Sequence, residues 1–350
     1  MPSRTLLFDH FCKPLTEINV ASTPRNYILN GYGRCEFTIA TSDPKCKEKY
    51  LQYGNLVLIQ HLPDNVDEQG YPIGKLPDWC GVILPPRTWD KGMSHVNVYS
   101  AEAVLFFRAM PFQAVQGTPS QVFRQILGFA QQATNNIVVQ QGVIEDVSKT
   151  YSDELRLSAY DHIQKMQKNT GIDWNVSAEI NEKGNLELFG NLYEKLGVKT
   201  NLTLTDENTE LISPSMTEQG TPSNYVIGYS QATTAANRLS AIGIHQGALD
   251  DYGMMQMNET YNGIHDVASV ESAAKARAAY RGRPVKLFRR NALDVRDTFS
   301  CLAPGNIVHL KDAESGFAAD GGFGTEADCR ILSVDYNDLV NKCPLNLEVV

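Results

Sequence analysis

No apolar run in this 350-residue sequence approaches the length needed to cross a bilayer. At the N-terminus only Leu6, Leu7 and Phe8 stand together, too few for the apolar segment of a secretory signal. The chain is therefore expected to be made and folded in a cytoplasm, with no membrane-spanning segment. Cysteine is sparse: Cys12, Cys35, Cys46, Cys80, Cys301, Cys329 and Cys343 are odd in number and include no Cys-x-x-Cys pair, so neither a disulfide framework nor a zinc knuckle is signalled. Positive charge is in deficit, and the formal net charge is −9. A chain of that sign does not grip nucleic-acid phosphates by its overall field. Local basic stretches, such as Arg281 to Arg290, read as a solvated strand face.

The usual patterns of catalysis are missing as well. His10, His61, His95, His162, His245, His265 and His309 are scattered singly, with no spacing that would put two imidazoles on one metal. His265-Asp266 has the order of an oriented base, but no nucleophile signature accompanies it. Asn30-Gly31-Tyr32-Gly33 and Asp320-Gly321-Gly322-Phe323-Gly324 match neither a phosphate loop nor a dinucleotide turn. Asp250-Asp251 lies in a glycine-bearing stretch that reads as a solvated loop. No residue is assigned to catalysis, to a cofactor or to a metal, and no cofactor is expected.

What is present is repetition. Tyr53-Gly54-Asn55-Leu56-Val57-Leu58-Ile59 is matched by Pro304-Gly305-Asn306-Ile307-Val308-His309-Leu310 at an offset of 251. Gly-Asn before aliphatics is a common way out of a turn into a strand. Two further strand-like segments recur in the same order, around Cys80 and Cys329 and around Asn97 and Asn346, each at an offset of 249. A fourth correspondence sets Thr23-Pro24-Arg25-Asn26-Tyr27 against Thr221-Pro222-Ser223-Asn224-Tyr225, at an offset of 198. The second copy then carries about fifty extra residues. These include a helix with Ser269 as N-cap, Glu271 in its first turn and Gly282 as its stop.

Short alternating strands such as Glu36-Phe37-Thr38-Ile39-Ala40, broken by Gly, Pro, Asn and Asp, imply a mainly β chain in which each copy closes into a small barrel or a sandwich, and a small β-barrel is the form expected. Between the copies the rhythm becomes helical. Thr118-Pro119 starts one helix with Val122, Phe123, Ile126, Leu127 and Ala130 on one face, and Ser158 with Asp161 caps another that stops at Gly171, with Ile163 and Met166 inward. A hairpin about Asn181-Glu182-Lys183-Gly184 follows. The expected division is a first barrel over 1–112, a helix-containing α/β domain over 113–215, and a second barrel over 216–350 with an insertion at about 231–283.

The strands GRCEFTIA, YGNLVLIQ and WCGVIL, the middle-region SAYDHI and GIDWNV, and the closing GNIVHL with CRILSVDY resemble, as a pattern over nearly the whole chain, the tail hub proteins of tailed bacteriophages. The resemblance implies a non-enzymatic virion protein of the tail tip or baseplate, assembled in the host cytoplasm. It implies a homotrimer in which two barrels per chain make a pseudo-six-fold ring. Tail tube proteins lie above such a ring, tip, spike or fibre proteins lie below, and DNA passes through its lumen without specific binding. The chain stops just after its last strand, so a cell-wall enzyme or fibre is expected to be a separate protein. Three alternatives stand beside this reading. One is a hub of a contractile injection particle carrying a spike. The second is a hydrolase with its site in the middle domain near Asp161, His162 and Trp174. The third is a carbohydrate-binding module stacking sugars on Trp79, Trp89 or Trp174.

Overall fold

The computed structural model describes residues 3–20, 22–61, 77–132, 137–219, 222–231, 237–293, 299–317, 323–337 and 342–350. The glycines expected to form a loop at 321–322 lie outside them. The chain is mainly β, as expected.

The first part is built from β1 (Ser3–Phe8), β2 (Pro14–Ile18), β3 (Arg25–Ile28), β4 (Arg34–Ala40), the short helix α1 (Glu48–Leu51), β5 (Leu56–His61), β6 (Trp79–Asp90) and β7 (Met93–Ser100). The middle part holds β8 (Gln113–Gly117), α2 (Pro119–Gln132), β9 (Val139–Ile144), β10 (Tyr151–Leu155), α3 (Ala159–Thr170), β11 (Asp173–Ile180) and β12 (Leu186–Tyr193). Then come β13 (Lys199–Leu204), β14 (Thr209–Gln219), β15 (Tyr225–Ser230), β16 (Ser240–Ile244), α4 (Gln246–Tyr252), β17 (Gln256–Tyr261), α5 (Val267–Arg281), β18 (Val285–Leu293), β19 (Ile307–Phe317), β20 (Phe323–Tyr336) and β21 (Lys342–Val349).

The helices begin where local chemistry dictates. Thr118 and Gln121 exchange side-chain-to-backbone hydrogen bonds ahead of α2, and Ser158 and Asp161 do the same ahead of α3. Gly171 ends α3 in the left-handed region, at φ 70°. The five residues expected on the inner face of α2 are all buried. The hairpin of β11 and β12 turns at Gly184.

The duplication is visible strand by strand. The ladder β4-β7-β6-β5 of the first part is repeated as β18-β21-β20-β19 in the second. Gly54 and Gly305 share a positive φ, 92° and 95°, and each donates its amide to the carbonyl of an equivalent isoleucine, Ile83 or Ile331. The equivalent pairs Val57 and Val308, Ile59 and Leu310, Ile83 and Ile331, Val96 and Leu345, and Val98 and Leu347 are all buried, in two separate apolar cores. The repeated turn thus marks the same corner of two like sheets.

Five expectations need correction. First, the ladders close no barrel among the described residues: β3 pairs with β20, Ile28 opposite Ser333 through Arg25 opposite Tyr336, and this seam joins both parts into one open 13-stranded sheet. Second, Cys80 is not the counterpart of Cys329. Val57 faces Gly81 and Val308 faces Cys329, so Gly81 holds that position and the alignment slips by one residue. Third, the fourth correspondence fails, because β15 lies in a separate sheet ordered β16-β15-β17, while the strand beside β18 is β14. Packing explains the separation: Gly243 lets the alanine-rich face of α5 lie directly on that small sheet, where a Cβ would collide with the backbone of Ala274. Strands β14 and β13 pair with β18 and β19, so the expected break at 215/216 falls inside a strand of the second part. Fourth, α5 is capped by Asp266 and not by Ser269, whose amide donates to the Asp266 carboxylate, while Gly282 does follow its last residue as expected. Fifth, Arg290 is fully buried.

Candidate functional site

The residues considered for catalysis are committed to structure. His162 is buried, and its Nε2 accepts two backbone amides, from Arg156 and Leu157, both at 2.9 Å. That leaves the ring proton on Nδ1, which donates to Asp153 at 2.7 Å. Asp153 also takes Lys165 at 2.6 Å and the Tyr151 hydroxyl at 3.0 Å. Burial pushes the Asp153 carboxyl up, but His162 and Lys165 outweigh it and hold it below the usual range, while burial beside Asp153 drives the Tyr151 phenol well up. Both nitrogens of His162 are spent on the fold. Asp161 caps α3, and Trp174 is fully buried, so the three residues of the hydrolase alternative do not converge on an open site.

His265 turns away from Asp266, with its ring toward Glu154 at 3.7 Å. Asp250 accepts from Gln246 and Asp251 pairs with Arg283, so these two acids split rather than act together. The seven cysteines are free thiols. Burial raises Cys80, Cys329 and Cys343 far from thiolate, the last two to about 12. Among the described residues no group of three metal-ligating side chains gathers, and no helix is long and apolar enough to cross a membrane. Of the tryptophans, Trp79 is buried with its indole N–H on the Asn26 carbonyl, and Trp89 alone is exposed, at 63%.

The polar chemistry instead gathers where the parts of the chain meet. Asp173, 1% exposed, accepts from the Asn30 side chain at 2.7 Å and from the Leu196 amide at 2.8 Å, and pairs with Arg330. Asn30 belongs to the first part, Asp173 opens β11 of the middle part, and Arg330 sits on β20 of the second. One carboxylate thus ties all three. Sequence reasoning missed it, since nothing local to any of these residues points to the other two. Along the seam, Arg25 stacks on Tyr336 at 4.5 Å, and an open cleft of about 550 Å³ is lined by Arg25, Asn26, Arg34, Asp335, Tyr336 and Lys342 among others. Burial raises the Asp335 carboxyl there. The arrangement is that of a joint between the first and second parts.

No family model matches the chain, and no curated protein matches it in sequence. Solved structures do match. A prophage tail protein from Listeria monocytogenes superposes with a TM-score of 0.60 at 11% identity, over 99% of this chain and 94% of its own. The 43 kDa tail protein of a Shewanella oneidensis prophage gives 0.55 at 11% identity, over 99% and 98%. The fold is that of phage tail proteins. A tail protein from Neisseria meningitidis gives 0.53 at 12% identity, again over 99% of this chain and 97% of its own. In all three superpositions the likeness takes in 99% of this chain, so it includes the middle part and the small sheet under α5, although the separate closed barrels that were expected are joined here in one open sheet.

Proposed function

We propose that this chain is a structural subunit of a phage tail, a hub whose three copies form a ring of six like sheets. The observation that carries the proposal is the duplicated ladder: a three-fold object with two equivalent units per chain presents six similar wedges to a six-fold tube. The tail-protein fold supports the same reading. Tube proteins would lie above, tip, spike or fibre proteins below, and assembly would take place in the host cytoplasm. The middle part and the sheet under α5 have no counterpart in the first part, so they would break the six-fold likeness and face the three-fold tip.

Sedimentation at increasing concentration tests the ring. A species of three times 38.8 kDa is expected, and a chain that stays monomeric at every concentration overturns the proposal. Because assembly follows mass action, the measurement extends to the highest soluble concentration. The charge of the chain adds a second expectation. Net −9 suits a bore that repels phosphates and lets DNA slide. In a reconstruction of the assembled ring, lumen-facing side chains should be net acidic or neutral, and a bore lined by Lys and Arg overturns the DNA-passage role.

A further inference from the structure

The seam inside the chain contains the seam between chains. In the first part β3 flanks β4 and its outer edge pairs with β20 of the second part. The strand that flanks β18 in the same way is β14, and its outer edge has no partner strand among the described residues. The counterpart of β20 is β6. Only Trp79 to Val82 of β6 are covered by β5, and among the described residues the stretch from Arg87 to Asp90 is paired with β7 alone. The two parts therefore each carry, free, the counterpart of one half of the contact that β3 and β20 already make.

The ladders fix the register. Arg87 faces Val96 where Val334 faces Leu345, which sets Arg87, Thr88 and Trp89 against Val334, Asp335 and Tyr336. Likewise Cys35 faces Val98 where Phe288 faces Leu347, and the partners of Cys35 and Phe288 are Arg25 and Met216. Met216, Thr217 and Glu218 thus stand for Arg25, Asn26 and Tyr27. Transferring the in-chain pairs puts Trp89 opposite Met216, Thr88 opposite Thr217 and Arg87 opposite Glu218.

We infer that this is the contact between neighbouring copies: the outer edge of β14 in one chain adds to the free stretch of β6 in the next. Three observations besides symmetry favour it. Tyr336 is 4% exposed inside the seam, whereas its counterpart Trp89 is 63% exposed on the isolated chain. Arg87 is nearly buried yet its Nε and Nη2 have no hydrogen-bond partner among the described residues, and the exposed carboxylate of Glu218 is what the register brings to it. Met216 against Trp89 is a favourable sulfur–aromatic pairing. The inference rests on the ring proposed above but adds which edges meet and in what register.

The test is a chain carrying both Thr88→Cys and Thr217→Cys. Directly opposed strand residues have Cβ atoms roughly 4.5–5.5 Å apart, near enough for a disulfide after a small shift. Mild oxidation should give chain-to-chain crosslinks up to a trimer on a non-reducing gel, absent from either single variant. Sedimentation of the wild-type chain runs beside it. A trimer by mass without the crosslink overturns this register and leaves the ring standing, while a monomer at every concentration overturns both. As a second readout, Arg87→Glu and Glu218→Arg should each raise the dissociation concentration about tenfold, with the pair together restoring most of the loss. Assembly indifferent to both reversals overturns the Arg87–Glu218 contact.

Discussion

Asp173→Ala is expected to destabilise the chain by about 3–5 kcal/mol, read as a lower midpoint in urea or guanidinium unfolding. The carboxylate is almost wholly buried and meets Arg330, the Asn30 side chain and the Leu196 amide. Removing it strands a guanidinium that is itself largely buried and leaves two donors unmet. Because those partners belong to three parts of the chain, the loss should appear as loosened association of the parts as well as lower stability. Limited proteolysis should cut between β12 and β13 sooner in the variant. An unfolding free energy within about 1 kcal/mol of wild type would show that water readily replaces the carboxylate.

Arg290→Met carries the second large effect, also about 3–5 kcal/mol, because it leaves Asp312 charged and buried. The ladder equivalence makes the next step specific. Arg290 faces Leu345 as Phe37 faces Val96, so the first part fills with a phenyl ring the position that the second fills with an ion pair. An apolar solution is thus already in use in the same fold. Adding Asp312→Leu to Arg290→Met should recover most of the loss, leaving about 1 kcal/mol for the Ser315 amide that now bonds the Asp312 carboxylate at 3.0 Å. A double variant no more stable than the single one would place the cost in shape rather than in the stranded charge.

What could be read before the structure was whatever acts over a few residues. The Thr118-Pro119 step and the capping pair of Ser158 with Asp161 act within three positions, and both helices start where they point. The repeat was legible because a Gly-Asn corner needs the same residues each time. Its register slipped by one at Cys80 because each long strand contains an irregularity of its own, between Ile83 and Arg87 in one and between Ile331 and Ser333 in the other. The Thr-Pro-x-Asn-Tyr phrase misled for a different reason: two similar strands were assigned to one role, but sheet membership is settled by partners elsewhere, here α5 lying over Gly243. Arg290 did carry a signal. Phe288, Arg290 and Ala292 alternate on the buried face of β18, and reading the stretch by charge rather than by period hid it. Asp173 carried none, since Arg330 is 157 residues away.

The bond between β3 and β20 also sets an order of events during synthesis. The first part leaves the ribosome with one edge open, and the strand that covers that edge is made about 300 residues later, roughly 15–60 s at ordinary elongation rates. Throughout that interval nascent chains on one messenger expose the same acceptor, so an exchange of C-terminal strands between them competes with self-closure. Slower translation or crowded polysomes should therefore favour entangled dimers over correctly closed subunits.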